Sequence, residues 1–140
     1  MSTRPIYPAS RSKWREMWCI LRNLHDDMPI RATWLDAVEV KTEERPEFVQ
    51  RCLDEAHGSD VVLFIQPKET GLAVALAEAG AALAGGGRLH IVAHEADARR
   101  IAKMMVDHPR TRLFDLGCDE PSIQLYNAMR ALVREPATSS

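Results

Sequence analysis

The sequence has few cysteines and few aromatic residues. Its three cysteines, Cys19, Cys52 and Cys118, stand far apart and form no Cys-x-x-Cys pair. An odd number of cysteines without a spacing pattern argues against a disulfide framework and favours a reducing compartment. Neither these cysteines nor the five histidines show the spacing of zinc ligands. We therefore expect no disulfide and no bound metal.

An excess of charge of one sign is also missing, and so is any long apolar run. Lys and Arg number 18 against 20 Asp and Glu, which leaves a net charge of −2, and the two signs are interspersed. No basic surface of the kind that binds nucleic acid is expected. No apolar run approaches the roughly 20 residues that span a bilayer, and the first residues lack the apolar core of a signal peptide. We expect a cytoplasmic protein that binds neither nucleic acid nor a membrane.

The chain does contain a regular alternation of apolar runs and helical patterns. Short apolar runs predict strands, and apolar stripes at helical spacing predict helices between them. The predicted strands are 5–9, 30–35, 61–65, 89–93 and 111–115, and the predicted helices are 12–24, 46–57, 72–84, 96–106 and 121–133. This order predicts one Rossmann-like or flavodoxin-like α/β domain over residues 1–134, with a parallel sheet of about five strands and helices on both faces. Residues 135–140 are predicted to form a flexible tail.

In such sheets, ligands bind beyond the carboxyl ends of the strands, where the strand order reverses. The predicted edge consists of residues 7–11, 34–36, 66–71 and 94–95. Ser10 and Arg11 suit hydroxyl or phosphate groups of a ligand, although Ser10 has the alternative of capping the first helix. Trp34 can stack on a nucleobase or simply fill the core. Tyr7 is either a site residue or a side chain packed beneath the first helix.

Glu78 is the one polar residue of the helix predicted over 72–84. An isolated carboxylate on an apolar helix is costly to bury and tends to mark a functional site. It lies in line with small residues, so another body, a ligand or a second subunit, can approach closely. If the helix begins near Ala73, the helix dipole helps to keep Glu78 ionised. The alternatives are a solvent-facing residue and a carboxylate buried in a homo-oligomer interface.

Three other acidic residues are placed by the predicted strands. Asp36 and Glu69 follow strands and are candidate acids at the ligand edge, and Gln66 and Gly71 flank Glu69 as candidate substrate-binding residues. Asp60 begins its strand and therefore lies at the opposite edge, where a structural role is predicted. The three consecutive glycines at 85–87 are predicted to end a helix and form a turn.

Four segments of the chain form a pattern together. They are Ile-Tyr-Pro-Ala-Ser at 6–10, Ala-Thr-Trp-Leu at 32–35, Ser-Asp-Val-Val-Leu at 59–63 and Leu-Ala-Glu-Ala-Gly-Ala-Ala-Leu-Ala at 76–84. In order and spacing they resemble the nucleoside 2-deoxyribosyltransferase-like family, which includes nucleotide N-glycosidases and is distantly related in architecture to TIR domains. The resemblance implies cleavage or transfer of the N-glycosidic bond of a nucleoside or nucleotide. It implies that Glu78 is the nucleophile, that Tyr7 positions it or the sugar, that no cofactor takes part, and that the protein is a homo-oligomer.

The sequence departs from the family pattern at three positions. Cys52 stands where family members commonly have an acid, and Val74 and Leu76 stand where they commonly have glycine. Val74 and Leu76 would crowd a sugar next to Glu78. These departures favour an alternative function, which is non-catalytic binding of a nucleotide or a nucleotide-derived signal in the same crevice.

Overall fold

The computed structural model describes residues 4–37 and 39–135. Its parallel sheet has four strands in sequence order: β1 (Ile6–Ala9), β2 (Asp60–Phe64), β3 (Leu89–Ala93) and β4 (Thr111–Asp115). The helices are α1 (Arg15–Leu24), α2 (Arg45–His57), α3 (Ala73–Ala84), α4 (Glu95–Ile101), α5 (Lys103–Val106) and α6 (Pro121–Arg134). The predicted α/β class with a parallel sheet is confirmed, with four strands in place of five.

The sheet lies between two helical layers. Every residue of β1, β2 and β3 is buried, as the apolar composition of these strands requires. Helix α2 packs against α3, and α3 lies on β1 and β2. Helix α1 packs against α6, and α6 lies on β2 and β3. The two helix pairs cover opposite faces of the sheet, since α3 and α6 both lie on β2 and β3 without packing on each other. Among the described residues, no helix is both long and apolar enough to cross a membrane.

The strand predicted over 30–35 is wrong beyond its first residue. Ile30 forms one isolated parallel bridge with Ile6, on the side of β1 that faces away from β2. The chain then turns into a short 3₁₀ helix, Thr33–Leu35. The chain passes from β1 to this bridge on one side and then returns past β1 to β2 on the other side. Its direction across the sheet therefore still reverses at β1. The crevice predicted at this reversal therefore keeps its place.

Side-chain hydrogen bonds explain why the segment after Ile30 leaves the sheet. The Trp34 indole N–H donates to the carbonyl of Pro8 at 2.9 Å. The backbone N–H and the hydroxyl of Thr33 donate to the carboxylate of Glu55 at 3.1 and 2.5 Å. These bonds to β1 and α2 replace the ladder bonds that a fifth strand would make.

Three other predicted boundaries shift by a few residues. The first predicted helix begins with a 3₁₀ turn, Ser12–Trp14, before α1. The helix predicted over 96–106 is divided at Ala102 into α4 and α5. Glu135, predicted to be part of a flexible tail, accepts a hydrogen bond from Arg112 at 2.8 Å, while the rest of that tail, 136–140, lies outside the described residues.

The amino-terminal edge of the sheet carries structural residues. The buried carboxylate of Asp60 contacts the guanidinium of Arg88 at 3.1 Å and that of Arg4 at 3.6 Å, in keeping with its predicted structural role. The predicted helix end at 85–87 is present, since Gly85 follows the last residue of α3. A Cβ atom at Gly85 would lie 2.0 Å from the backbone oxygen of His57. The ends of α2 and α3 therefore meet at a point where only glycine fits.

Candidate functional site

A hydrogen-bonded pair, Tyr7 and Glu78, lies at the ligand edge of the sheet. The Tyr7 hydroxyl on β1 donates to Oε2 of Glu78 on α3. Tyr7 is 0% exposed and Glu78 is 4% exposed. The solvent-facing alternative for Glu78 is therefore excluded, and Tyr7, predicted beside Glu78 at the same edge, contacts it directly.

Small residues bring the two helices above this pair close together. Ala75, Glu78, Ala79 and Ala82 form the buried face of α3. Helix α2, which carries the buried Cys52 and Ala56, packs against α3. The small residues of α3 therefore serve largely for close packing of α2 of the same chain, and not for the approach of a ligand or a second subunit alone. Leu76 and Leu83 are only half-buried, because α3 turns its alanines, and not its leucines, toward the core.

Burial dominates the electrostatics of the pair. The pKa of Glu78 is raised to about 7, chiefly by burial and also by the charge of the nearby Glu55, and against the hydrogen bond from Tyr7, which lowers it. Glu78 is the sixth residue of α3, and the helix dipole acts mainly within the first turn, so its help in keeping Glu78 ionised is small. Burial also raises the pKa of Tyr7, and the charge of Glu78 adds to this effect. Tyr7 therefore keeps its proton, and Glu78 gains or loses a proton near neutral pH.

A cavity of about 470 Å³ opens above the pair. It is lined by residues from the end of β1, the Thr33–Leu35 turn and helices α2 and α3: Ser10, Arg11, Ser12, Trp34, Val40, Arg45, Phe48, Val49, Cys52, Gly71, Val74, Ala75 and Glu78. Its volume lies within the range of small-molecule sites. Glu78 is the one acidic residue among the described residues that line it, and Arg11 and Arg45 are the basic ones.

Three of the predicted substrate-binding residues come together on one side of this cavity. Ser10 accepts a hydrogen bond from the indole of Trp18 at 2.9 Å, so its hydroxyl is held by α1. Arg11 is exposed and extends toward Gly71, where an added Cβ would lie 3.7 Å from the Arg11 Nε. Gly71 has φ of +76°, a backbone conformation that favours glycine. An added Cβ would meet the guanidinium only at ordinary van der Waals distance, so the backbone conformation, and not the space beside Arg11, favours glycine here.

Trp34 lines the cavity but is only 9% exposed. Its indole N–H is committed to the carbonyl of Pro8, which agrees with the core-filling alternative, and stacking on a nucleobase stays a prediction. The ring fills the core beside β1 and also presents an apolar surface to the cavity.

Four predicted site residues do not line the cavity: Tyr7, which contacts it only through Glu78, and Asp36, Gln66 and Glu69. Asp36 is exposed and pairs with Arg22 at 3.1 Å on the outer surface. Glu69 is buried, and its Oε2 accepts a hydrogen bond from the backbone N–H of Gln66 at 2.8 Å. These contacts give Glu69 and Gln66 the role of shaping the loop after β2. The structure therefore does not bring the two candidate acids, Asp36 and Glu69, together with Glu78.

The residues at which the sequence departs from the family pattern differ in their placement. Val74 lines the cavity with 47% of its surface exposed. Cys52 also lines it, beside Tyr7, and burial raises the pKa of its thiol. Leu76 does not line the cavity, so the predicted crowding at Leu76 does not arise, whereas Val74 does narrow the space near Glu78.

Sequence reasoning missed several residues that line the cavity. Arg45, Phe48 and Val49 come from the first turns of α2, and Val40 precedes this helix. The sequence does not show directly that α2 approaches the ligand edge. The small residues of α3 are the one feature of the sequence that indicates this close packing.

The site contains no recognisable metal centre. Within 4–37 and 39–135, no three His, Cys, Asp or Glu side chains cluster in a way that could hold a metal ion. None of the family models, curated proteins or solved structures with which the chain was compared matches it.

Proposed function

We propose that this protein cleaves or transfers the N-glycosidic bond of a nucleoside or nucleotide, with Glu78 as the nucleophile. The observation that carries the proposal is the buried Tyr7–Glu78 hydrogen bond at the base of a cavity of about 470 Å³. The site lies at the carboxyl ends of parallel strands, where ligands of such sheets bind. The resemblance of residues 76–84 to the deoxyribosyltransferase-like segment supports the same assignment.

In the proposed reaction, the ionised Glu78 carboxylate attacks the anomeric carbon of the sugar. The bond from this carbon to the base nitrogen breaks, its electrons leave with the base, and the sugar becomes an ester of Glu78. The transition state has oxocarbenium character, which a nearby carboxylate stabilises. Water or a second base then displaces Glu78 and restores the carboxylate. Because Glu78 is the one described acidic residue that lines the cavity, the departing base takes its proton from solvent.

Tyr7 has two roles in this proposal. Its O–H orients the carboxylate toward the cavity, since it holds Oε2 of Glu78. The same hydrogen bond lowers the pKa of Glu78 against the effect of burial. Base release should therefore increase with pH with a midpoint near 7, and Tyr7→Phe should move this midpoint to higher pH. An unchanged midpoint in Tyr7→Phe would show that the hydroxyl does not control the carboxylate.

The proposal is tested by base release from deoxynucleosides, ribonucleotides and NAD, followed by liquid chromatography. Glu78→Gln keeps the size of the side chain and should slow release at least about a hundredfold, the lower end of what a positioned acid–base group contributes. Glu95→Gln is a matched control, because Glu95 is exposed at the start of α4 and outside the cavity. Full activity in Glu78→Gln would exclude Glu78 as the nucleophile.

Two observations favour a second function, the non-catalytic binding of a nucleotide or nucleotide-derived signal. Val74 protrudes into the cavity next to Glu78, and Cys52 supplies no charge beside Tyr7. Calorimetry with the same compounds, followed by mass spectrometry of the recovered ligand, separates the two functions. Binding of an unchanged nucleotide without base release supports the second function, and turnover excludes it.

A further inference from the structure

A second cavity, of about 450 Å³, lies beside β4, the strand at the opposite side of the sheet from β1 and the Tyr7–Glu78 site. It lies between the edge strand β4 and helix α6 and shares no lining residue with the first cavity. Its main polar and aromatic lining residues are Arg112, Phe114, Gln124, Asn127, Arg130 and Arg134. The three guanidinium groups face one acidic lining residue, Glu135, so the cavity is positive although the chain as a whole is negative.

The pattern of the two elements brings these arginines together. Arg112 and Phe114 are two residues apart on β4 and point to the same face of the sheet. Arg130 and Arg134 are four residues apart on α6 and also share one face. Like charges at this spacing repel each other and destabilise a helix slightly, and Arg112 adds a third charge from the strand. Solubility alone does not require three arginines to be placed so close together.

The Arg112 guanidinium is held in place on two sides. It stacks on the ring of Phe114 with 4.6 Å between its central carbon and the ring centroid. One of its amino groups contacts the carboxylate of Glu135 at 2.8 Å. Stacking fixes the plane of the guanidinium and leaves its other edge open. A planar, pre-oriented fork of this kind suits the oxygens of a phosphate group.

The guanidinium groups of Arg130 and Arg134 have N–H donors that their contacts in the protein do not use. Arg130 contacts Asp27, and its Nε is buried without an acceptor among the described residues. Asp27 and Glu135 have 60% and 62% of their side-chain surfaces exposed, and ion pairs this exposed are weak. Arg134 is exposed and makes no ion pair within the described part of the chain. An anion with two or more charges could therefore displace these carboxylates.

We propose that this second cavity binds a phosphate-bearing small molecule with at least two negative charges. The inference is independent of the proposed function, because it depends on β4 and α6 alone. A concave site of this volume, lined by three arginines, fits a compact polyanion better than an extended acidic peptide.

The test is a calorimetric titration of the full chain with pyrophosphate. One molecule should bind, and Arg112→Gln/Arg134→Gln should weaken binding about tenfold or more, since each charge-assisted contact is worth about 1.4 kcal/mol or more. Thermal unfolding of this double variant checks that the fold is intact. Arg134→Gln alone, at an exposed residue for which the described residues provide no ion pair, should still weaken binding if the double variant unfolds.

The arginines of the first cavity provide the matched control. Arg11→Gln/Arg45→Gln removes the same charge and should leave pyrophosphate affinity within about twofold. Loss of binding in this control alone would place the anion in the first cavity and overturn the inference. Equal affinity in all variants, no detectable binding of pyrophosphate, or binding of an acidic peptide in its place would also overturn it.

Discussion

The buried carboxylate of Glu78 should make the stability of this protein depend on pH in a way that a single substitution removes. Its pKa is raised from an ordinary 4.5 to about 7 in the fold. Between these values the folded protein binds a proton that the unfolded chain has released. The contribution to stability is therefore fully present below about pH 4.5 and is lost as the pH rises toward 7.

The size of this loss follows from the two pKa values. A difference from 4.5 to about 7 corresponds to about 3 kcal/mol, and most of it falls between pH 5 and pH 8. Glu78 is 4% exposed, so solvent screening reduces the value little. Since total stabilities of domains are about 5–15 kcal/mol, this change is readily measured.

The assay is denaturant unfolding at several pH values between 5 and 8, for the wild type and for Glu78→Gln. Gln is neutral at every pH and can still accept the hydrogen bond from Tyr7. The free-energy difference between the two proteins should change by about 2–3 kcal/mol across this range, with the wild type losing stability. Titration of the histidines, including the buried His90, whose pKa burial lowers, is common to both proteins and cancels. Parallel curves would refute the assignment of a raised pKa to Glu78.

Two further predictions concern the parts of the fold that position the site. Gly85→Ala should destabilise the protein by more than about 2 kcal/mol, because its Cβ would collide with the backbone of His57. Gly80→Ala, in the same helix with open space around the added carbon, should stabilise by about 0.5–1 kcal/mol. Asp60→Asn should cost about 3 kcal/mol, because it removes the buried carboxylate that pairs with the partly buried Arg4 and Arg88. Glu95→Gln breaks only an exposed pair and should cost less than about 0.5 kcal/mol. Thermal or denaturant unfolding measures all four.

The features of the fold that the sequence predicts well are those with a local cause. Apolar runs locate β2 and β3 to within a residue, because a strand buried on both faces consists mainly of apolar residues. The segment after Ile30 has the alternation of a strand, yet it turns away from the sheet. The hydrogen bonds that turn it, from Trp34 to Pro8 and from Thr33 to Glu55, join residues more than 20 positions apart. No local pattern reports such contacts.

The same distinction applies to the candidate site. Glu78 is visible in the sequence because a single carboxylate interrupts an apolar helix, and Tyr7 because it ends a strand at the predicted crevice. Arg45 and Phe48 were missed because they reach the cavity only through the packing of α2 on α3. Asp36 and Glu69 were proposed from their positions after strands, but the direction of each side chain is set by its partner, Arg22 or the backbone of Gln66.

The two candidate functions make opposite use of the proton on Glu78, and this separates them without knowledge of the ligand. A molecule that covers the cavity removes water from above Glu78 and so favours its neutral form. A binding protein should therefore hold its ligand more tightly as the pH falls through 7, and should take up a proton on binding. A nucleophile must be ionised when the developing positive charge of the sugar forms beside it. Turnover should therefore decline over the same pH range in which affinity increases, and Glu78→Gln should abolish both dependences. A ligand whose affinity and turnover are independent of pH between 6 and 8 would show that neither function depends on the Tyr7–Glu78 pair.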